Sequence, residues 1–583
     1  MTYTGADLIA DFIGEKCCGS AFIVTGGACA FIVDAIGRNS RCDYVCFQHE
    51  QAAAMAADAV WRTTGKIGVT VATSGPGATN LITGIACSWF DSIPSIHITG
   101  QVNQFESSDF LGANVRQGGF QETDIVSMVS PITKYAKKVE SIDDLVETLP
   151  KILSIALDGR MGPVLIDVPL NIQRGIVSQE QRKFALQSAA IIDTLQKFDL
   201  NLVELINSAN RPVVIIGAGA ALAGTAQVIQ TWCENNSIPY VSSWGALTYI
   251  DRSKKLYYGS LGVYGSTIAN WVIQAADQIL VFGSRLDNRQ RTGEPFAFAP
   301  FANITVLDVD KEELFKFKSN SNYKIYQFNL KYISSYLLKT NFNSTDWLES
   351  INNTADKISN GFDKAVKEGE LNPYSIVRMI QAKFEENAIV VADTGANLCW
   401  VYQAFLADSS FLFTAAGNSP MGYSLPAAIG AQLMNPKKRV YCFIGDGGLQ
   451  MNLQELQTVV AYKLPITIFI LNNFGYGIIK QFQATYLEGR EFATGEGYTV
   501  PDFKALMHAF NIPYTPICSE QDLQNTQISD GFSVLDVQLP INAQISPKTE
   551  INHFIHDQFP YTFESAIKEL PFKYPKTPSE LKK

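Results

Sequence analysis

Short segments rich in β-branched residues alternate along this chain with segments of helical periodicity, and this alternation restricts the fold more than any other feature. Residues 163–169, 212–216, 440–444 and 532–538 have the pattern of fully buried strands. Apolar residues at helical spacing recur between such segments. This alternation is typical of parallel sheets covered by helices on both faces. We therefore predict an α/β fold of doubly wound parallel sheets.

The chain is too long for a single hydrophobic core. It has 583 residues, whereas a domain usually has about 100 to 200. A polar linker follows the strand at 163–169, and an Asn- and Ser-rich stretch occupies 341–353. We predict three domains and a C-terminal tail that wraps the surface, with boundaries at 1–180, 190–345, 360–540 and 541–583.

The acidic composition restricts the possible partners. A formal net charge of −10 and a pI near 5.2 predict a surface that repels nucleic acid and anionic membrane. The longest apolar segments, such as 466–471, are far shorter than the roughly 20 residues that cross a bilayer. The N-terminus lacks the pattern of a secretory signal, and Leu8, Ile9, Phe12 and Ile13 have the spacing of an amphipathic helix. We expect a cytoplasmic protein with no nucleic-acid or membrane partner.

The most specific pattern lies between Arg439 and Phe482. A buried strand leads into Gly445-Asp446-Gly447-Gly448, a helical pattern runs from Leu449 to Val460, and a second strand ends at Asn472-Asn473. In a parallel strand–helix–strand unit, both turns lie at the carboxyl edge of the sheet, where such folds bind ligands. Taken singly, each turn would be ordinary loop chemistry.

These two turns offer the ligands of a divalent cation. Asp446 supplies a carboxylate oxygen and Asn473 a carboxamide oxygen, which Mg²⁺ prefers while phosphate oxygens and water complete its shell. Backbone N–H groups at the start of the helix after Asp446 can receive a diphosphate group. The pair therefore predicts a magnesium and diphosphate site.

Gly445-Asp446-Gly447 followed by Asn472-Asn473 resembles the signature of thiamine-diphosphate-dependent enzymes. The resemblance extends over nearly the whole chain and is closest to the acetolactate synthase group. It implies three doubly wound domains of the thiamine-diphosphate enzyme type. It also implies that magnesium is held by Asp446, Asn473 and the backbone carbonyl of Gly475. The implied contacts with thiamine diphosphate are made by Gly445, Gly447, Gly448, Tyr476 and Gly477.

Glu50 begins an alanine-rich helical segment, where an acid is favoured by the helix dipole alone. The resemblance implies a catalytic role, in which Glu50 hydrogen-bonds to N1′ of the cofactor's aminopyrimidine. It likewise implies that Met421 lies beneath the bent cofactor, although any core methionine would fill such a gap. Glu50 belongs to the first predicted domain and Asp446 to the third. In the resembling family these groups come from different subunits, which implies a homodimer or homotetramer with the site at the interface.

Other segments match the family's cofactor and substrate contacts. Glycines at 26 and 75 allow close approach of backbone to a ligand, and the resemblance implies cofactor contacts at Gly26, Gly75 and Asn80. It places Phe120, Gln121 and Lys134 in the channel to the reacting carbon, as catalytic residues. Lys134 is otherwise a surface charge.

The middle block carries a weak dinucleotide signal. Gly217-Ala218-Gly219 follows a strand, but the third glycine and the usual acid are misplaced, so an ordinary strand-to-helix turn explains it equally well. The segments around Arg285, Arg289 and Asp308 resemble the flavin-binding segments of FAD-containing acetolactate synthases. Tyr264 and Asn288 replace the family's usual histidine and aspartate. The resemblance implies a bound FAD without a redox role, because decarboxylation and carboligation transfer no electrons to a flavin.

The resemblance implies decarboxylation of pyruvate, a small 2-keto acid, and transfer of its two-carbon unit to a carbonyl acceptor. Phe482 stands where the family carries a tryptophan that favours bulkier keto acids, and Ile478 is the second implied substrate contact. The sequence leaves the acceptor open between a keto acid, as in acetolactate synthesis, a keto-sugar nucleotide and an aldehyde. A pyruvate oxidase and a non-catalytic binding relative are rival classes, the latter disfavoured because Glu50, Asp446 and Asn473 are all present.

Overall fold

The computed structural model describes residues 2–112, 114–187, 200–294, 296–358, 360–406, 408–560, 570–575 and 577–582. Within these ranges the chain forms three six-stranded parallel sheets and one short antiparallel hairpin. We call the units built on the three sheets the first, second and third domains. The predicted α/β fold of doubly wound parallel sheets is confirmed.

The first domain has the strand order β2-β1-β3-β4-β6-β5. Its strands are β1 (Ser20–Val24), β2 (Asp43–Cys46), β3 (Gly68–Ala72), β4 (Ser95–Gln101), β5 (Tyr135–Lys138) and β6 (Val164–Pro169). Its helices are α1 (Gly5–Lys16), α2 (Ala30–Arg38), α3 (Glu50–Thr64), α4 (Pro76–Asn80), α5 (Ile82–Asp91), α6 (Ser108–Leu111), α7 (Ile125–Val129), α8 (Ile142–Leu157), α9 (Leu170–Gln173) and α10 (Gln179–Ala185). The strands β3, β4 and β6 are buried at every position, as expected where helices cover both faces.

The second domain has the order β12-β11-β10-β7-β8-β9. Its strands are β7 (Pro212–Ile216), β8 (Tyr240–Ser242), β9 (Tyr257–Ser260), β10 (Gln278–Phe282), β11 (Asn303–Asp308) and β12 (Tyr323–Gln327). Its helices are α11 (Leu202–Asn207), α12 (Ala218–Leu222), α13 (Ala226–Asn235), α14 (Thr267–Ala275), α15 (Asn288–Arg291), α16 (Lys311–Phe315) and α17 (Thr345–Ala355). The Asn- and Ser-rich stretch predicted to end this domain forms most of α17, whose Trp347 and Ile351 are buried in the domain core.

The third domain repeats the strand order of the first, as β14-β13-β15-β16-β18-β17. Its strands are β13 (Ile389–Ala392), β14 (Phe411–Phe413), β15 (Val440–Gly445), β16 (Ile466–Asn472), β17 (Tyr514–Ile517) and β18 (Ser533–Gln538). Its helices are α18 (Pro373–Gln381), α19 (Ala396–Ala404), α20 (Ser424–Met434), α21 (Asp446–Met451), α22 (Leu456–Ala461), α23 (Gly477–Tyr486), α24 (Phe503–Ala509) and α25 (Glu520–Asn525).

The described part of the tail packs on the two preceding domains. Its hairpin consists of β19 (Lys548–Thr549) and β20 (Gln558–Phe559). Trp400 and Gln403 of α19 donate hydrogen bonds to tail carbonyls, and Thr549 N–H donates to the Val263 carbonyl of the second domain.

Each sheet lies inside one predicted block, but the domain boundaries stay predictions. The predicted start of the second block at 190 falls on residues 188–199, outside the described residues, as does part of the tail, 561–569. None of the helices in the described ranges is both long enough and apolar enough to span a lipid bilayer.

The first and third domains pack through α3 and α20. Five alanines of α3 belong to the same buried apolar cluster as α20, and the two helices approach closely: a Cβ on Gly430 would lie 2.4 Å from the Ala56 carbonyl oxygen. Arg62 on α3 donates to Asp58 at 2.6 Å and to Asp91 at 2.7 Å. Tyr423, just before α20, also donates to Asp58, which is fully buried. The interface therefore combines close packing with a charged network whose members are all hydrogen-bonded.

The helix predicted from Leu449 to Val460 is not continuous. α21 ends at Met451, and Asn452 leaves the helical region with φ −133° and ψ 33° before a short 3₁₀ turn leads into α22. The Asn452 amide donates to the Gly422 carbonyl at 2.8 Å. This tertiary hydrogen bond explains a break that apolar periodicity alone does not reveal.

Asp167 on β6 is a buried acid that titrates near neutral pH. It is 2% exposed and accepts hydrogen bonds from Thr99 at 2.7 Å and Gln101 at 2.9 Å. Burial raises the pKa of Asp167 from 3.8 to about 7. The folded protein thus keeps this proton at pH values at which the unfolded chain has lost it. The stability that it contributes therefore falls as pH rises through this window.

We predict that Asp167→Asn removes this pH dependence, because the amide does not titrate. The unfolding midpoint of the variant relative to the unmodified protein should be higher near pH 8 than near pH 5, in thermal unfolding at both. Asp43→Asn, at an exposed position of the same domain, serves as control. If the unfolding midpoints of Asp167→Asn and the unmodified protein differed by the same amount at both pH values, Asp167 would not be the group that titrates.

Candidate active site

The strand orders mark where each domain can bind a ligand. The order reverses between β1 and β3 in the first sheet, between β13 and β15 in the third, and between β7 and β10 in the second. Doubly wound folds bind ligands outside the carboxyl ends of the strands at such points. The loops that follow these strands carry most of the cofactor residues predicted from the sequence.

Glu50 lies at the start of α3 and is 8% exposed. Its Oε2 accepts a hydrogen bond from the Asn80 amide at 2.9 Å. A Cβ on Gly77 would lie 3.2 Å from its Oε1, so a larger residue there would crowd the carboxylate. The structure therefore brings Glu50 and Asn80 together at the end of β3.

Two predicted glycines shape the loops around Glu50. A Cβ on Gly26 would lie 2.5 Å from Thr73, so the loops after β1 and β3 approach closely only because this residue is glycine. Gly75 has φ 62° and ψ −124°, a conformation that other residues avoid, and a Cβ there would lie 2.9 Å from that of Gln121. The sequence predicted both glycines as cofactor contacts; in the structure Gly26 brings the loop after β1 against Thr73, and Gly75 brings Gln121 against the loop that leads to Asn80.

The three residues predicted to line the channel are not all together. Phe120 is 85% exposed beside Gln121, which has a positive φ of 62°. The Lys134 ammonium instead donates to the Asp158 carbonyl, and burial lowers its pKa. Among the described residues, no hydrogen bond joins Lys134 to Phe120 or Gln121. The catalytic role predicted for Lys134 stays a prediction.

Asp446 begins α21 at the end of β15 and is 2% exposed. The Tyr498 hydroxyl donates to its Oδ2 at 3.1 Å, and the N–H groups of Gly447 and Gly475 also lie at this carboxylate. Burial raises the pKa of Asp446 to about 6. In the described part of the chain, no basic side chain forms an ion pair with Asp446. A buried carboxylate without a countercharge suits a cation ligand.

Asn473 follows β16 and is 4% exposed. Its amide nitrogen is buried and has no hydrogen-bond partner within the described ranges. The two ends of an amide are assigned from their surroundings, so the atom at this place can equally be the amide oxygen, which is a possible metal ligand. A Cβ on Gly477 would lie 2.4 Å from this amide, and the Gly475 carbonyl accepts from Gly477 N–H at 3.0 Å.

The turn around Asp446 leaves little room for side chains. A Cβ on Gly447 would lie 2.6 Å from the Tyr476 ring and 3.0 Å from the Met421 methyl carbon. A Cβ on Gly448 would lie 2.8 Å from Asp393, whereas one on Gly445 would meet nothing within 4 Å. The structure thus brings Met421, Tyr476 and the glycines of the turn to the start of α21.

Two residues of this site escaped the sequence analysis. Asp393 follows β13 and accepts hydrogen bonds from the N–H groups of Gly422 and Ser424, at 3.0 and 2.9 Å, which holds the loop that carries Met421. A strand followed by an acid and a nearby glycine was the available signal, as at Asp446. Tyr498 comes from a distant loop, and the sequence around it carries no such signal.

Glu50 and Asp446 form two separate half-sites in one chain. The hydrogen-bond partners of the Glu50 carboxylate belong to the first domain, and those of the Asp446 carboxylate to the third. Among the described residues, neither a hydrogen bond nor an ion pair joins Glu50 to Asp446 or Asn473.

A cavity of about 830 Å³ lies between the three domains. Ligand pockets have volumes of about 300–1,000 Å³, so this one can hold a large cofactor. Its lining includes the predicted flavin and substrate residues Gly219, Arg285, Arg289, Asp308 and Ile478. Burial raises the pKa of Asp308, whose carboxylate accepts the Asp310 N–H at 2.9 Å.

The two glycines of the weak dinucleotide signal have a packing role. A Cβ on Gly217 would lie 2.2 Å from the Gly283 carbonyl oxygen, and one on Gly219 would lie 2.9 Å from Gly283 Cα. They let the loops after β7 and β10 cross, and Gly219 also lines the cavity. Tyr264, in place of the family's histidine, accepts a hydrogen bond from Arg289 at 2.9 Å.

Phe482 lies on α23, outside the cavity lining. It is 41% exposed, and its ring centroid lies 4.8 Å from that of Tyr486. Ile478, one turn earlier on the same helix, does line the cavity. The two predicted substrate contacts therefore share a helix that begins beside Asn473.

Three family models match the chain in the order of its domains. The model described as thiamine pyrophosphate enzyme, N-terminal TPP binding domain, matches residues 3–128. The central domain of the same enzymes matches residues 201–327, and their C-terminal TPP binding domain matches residues 393–537.

Curated relatives resemble the chain over nearly its whole length. The acetolactate synthase isozyme 1 large subunit of Escherichia coli (strain K12) is 31% identical over 555 residues, which cover 94% of this chain and 95% of the relative. The acetolactate synthase large subunit of Lactococcus lactis subsp. lactis (strain IL1403) is 31% identical over 93% of this chain and 92% of its own. That of Parasynechococcus marenigrum (strain WH8102) is 32% identical over 92% and 88%.

Proposed function

We propose that this chain, which belongs to the thiamine pyrophosphate enzyme family and is similar throughout to acetolactate synthase large subunits, is a carboligase acting on pyruvate. It decarboxylates pyruvate with thiamine diphosphate and joins the two-carbon unit to a carbonyl acceptor. The observation that carries the proposal is the pair of buried half-sites, with Glu50 at one switch point and Asp446 with Asn473 at another. The cytoplasmic location stays a prediction.

Asp446, Asn473 and the Gly475 carbonyl would hold Mg²⁺ and, through it, the diphosphate. The uncompensated Asp446 carboxylate and the unpaired Asn473 amide support this assignment, because both are buried polar groups that a metal ion would satisfy. The backbone N–H groups at the start of α21 would bind phosphate oxygens. Gly447 and Gly448 keep side chains away from that place.

Glu50 would hold a proton against N1′ of the aminopyrimidine. Its burial and its hydrogen bond from Asn80 fix the carboxylate in one orientation, as a positioned acid–base group requires. When bound, thiamine diphosphate supplies the carbanion-stabilising chemistry by which CO₂ leaves and the new carbon–carbon bond forms. Met421 would support the bent cofactor from the third domain, and Gln121, beside Gly75, would face the substrate.

The complete site would need a second copy of the chain. Within the described part of the chain no hydrogen bond or ion pair joins Glu50 to Asp446, and the packing of α3 on α20 already holds their domains together. Phe110, Leu111 and Phe120 in the first domain are more than half exposed, which suits a surface that a partner covers. We therefore propose a homodimer or a larger homo-oligomer.

The cavity between the domains would bind FAD. The residues that line it include all of the predicted flavin contacts except Gly217, and its volume suits a dinucleotide. The flavin would have no redox role, because no electron leaves pyruvate in the proposed reaction. The channel role of Lys134 also belongs to this proposal, without a contact of its own to support it.

The acceptor would be a second 2-keto acid, as the relatives' names suggest for them. A keto-sugar nucleotide is the second candidate, favoured by Phe482 in place of the family's tryptophan. The half-exposed Phe482 leaves more room beside Tyr486 than an indole would. One hydrophobic contact changes acceptor preference by about 1 to 3 kcal/mol, so it can redirect specificity while catalysis persists.

Glu50→Gln should keep thiamine diphosphate binding but lower CO₂ release from pyruvate by roughly 10²- to 10⁴-fold, because the amide cannot exchange a proton with N1′. Binding is measured by calorimetry with Mg²⁺ present, and turnover by CO₂ release. Glu140→Gln, at an exposed glutamate of the same domain, is the matched control. Turnover near that of the unmodified enzyme would refute the role of Glu50.

The purified protein should carry FAD whose absorption spectrum is unchanged when pyruvate is added without oxygen. Arg285→Met should weaken flavin retention, since it removes a cation from the cavity lining. Arg38→Met, an exposed arginine of the first domain, is the control. Bleaching of the flavin by pyruvate would instead indicate a pyruvate oxidase.

Phe482→Trp should shift acceptor preference toward 2-ketobutyrate over pyruvate by up to roughly 10- to 100-fold, because an indole adds apolar contact for the longer chain. The ratio of products from a mixture of the two acids measures the shift. Phe315→Trp, on an exposed surface of the second domain, is the control. An unchanged ratio would count against Phe482 as a specificity residue.

A further inference from the structure

The turn that precedes Glu50 is hydrogen-bonded to the third domain of its own chain. This turn, residues 46–49, runs from the last residue of β2 to the residue before α3. The Cys46 N–H donates to the Tyr462 hydroxyl at 2.8 Å, and the Gln51 amide, just past the turn, donates to Asn452 at 3.3 Å. Both partners come from the segment that follows α21.

Glu455 makes the central contact of this set. Its carboxylate is fully buried and accepts the Gln48 N–H at 3.1 Å. The Thr458 hydroxyl donates to it at 2.7 Å, and the His49 N–H also lies at this carboxylate. The two backbone donors belong to the residues directly before Glu50.

Burial of this carboxylate is costly and calls for a reason. Among the described residues no basic side chain pairs with Glu455, and burial raises its pKa to about 7. Burying an acid without a cation costs free energy that its hydrogen bonds have to offset. Here the bonds join two domains at the residue that precedes Glu50.

We propose that Glu455 is a positioning residue for Glu50: its carboxylate holds the backbone of Gln48 and His49 and thereby sets where the Glu50 carboxylate lies. The inference rests on the role of Glu50 proposed above. The spacing along the chain adds a second consequence. Asp446 begins α21, and Glu455 follows shortly after its end. The short segment from Asp446 to Glu455 therefore connects the proposed magnesium ligand of a chain to the turn that precedes its Glu50.

The test compares Glu455→Ala and Glu455→Gln, each alone and combined with Glu50→Gln, in the full-length protein. Hydrogen–deuterium exchange of the peptide covering 46–51 reports on the turn without any cofactor. Turnover of pyruvate and calorimetric binding of thiamine diphosphate report on the site. Gln230→Ala is the matched control, because it removes a buried side chain of similar length that makes hydrogen bonds within the second domain.

Glu455→Ala should raise exchange in 46–51 by roughly 10- to 100-fold, the effect of losing hydrogen bonds to a charged group. It should lower kcat by about 100-fold, as expected for a catalytic group displaced by about 1 Å, and leave cofactor affinity nearly unchanged. Glu455→Gln should keep most of the exchange protection of 46–51 and most of the kcat of the unmodified protein, since its amide oxygen still accepts from Gln48. Combined with Glu50→Gln, neither substitution should reduce turnover further, because both act through one group.

Equal losses from Glu455→Ala in both backgrounds would overturn the inference and leave the proposed function intact. The inference would also be overturned if Glu455→Gln lost as much turnover as Glu455→Ala, or if Glu455→Ala left the exchange of 46–51 unchanged. A Glu50→Gln enzyme with full turnover would overturn the role of Glu50 and this inference together. If Glu455→Ala does not fold, Glu455→Met takes its place under the same readouts, because methionine fills a similar volume but supplies no oxygen to accept the Gln48 N–H.

Discussion

The packing of α3 against α20 is the contact on which the rest of the site depends. It buries Asp58 and Arg62, and burial of charges is tolerable only when each has a partner of good geometry. Asp91 of the first domain accepts a further hydrogen bond from Arg62, and Tyr423 of the third domain donates one to Asp58. Because alanines and Gly430 let the helices approach closely, the contact admits little sliding. Its consequence is that Glu50 at the start of α3 and Met421 before α20 have fixed positions in one rigid arrangement.

Glycines act in this protein chiefly as spacers between loops. At Gly26 and Gly75 the first domain brings loops together around Glu50, and at Gly447 the third domain keeps side chains away from the start of a helix. Gly217 serves only to let two loops of the second domain cross. The same residue type therefore lets loops approach each other in the first and second domains and keeps the start of a helix clear of side chains in the third, and only the neighbours distinguish these roles.

The repeated strand order of the first and third domains explains why the two half-sites are alike. Each half-site lies near the point where the strand order reverses: Glu50 follows β2 and meets the loops after β1 and β3, whereas Asp446 follows β15 and Asn473 follows β16. One loop set presents a carboxylate, Glu50, and the other an acid and an amide, Asp446 and Asn473. A coenzyme with a base at one end and a diphosphate at the other is suited to such a pair.

The sequence by itself determined the fold class and the strand–turn–helix units around Asp446 and Asn473, because periodicity and glycine turns are local properties. Its resemblance to thiamine-diphosphate-dependent enzymes also made Glu50 a candidate, which the start of an alanine-rich helix alone would not have done. The sequence did not reveal the break at Asn452, the roles of Asp393 and Tyr498, or the helix α17 in an Asn-rich stretch. Those depend on hydrogen bonds and burial between residues far apart in the chain, as does the contact of Glu455 with the turn before Glu50. Only the tertiary structure decided them, since strand order and domain packing choose which distant groups meet.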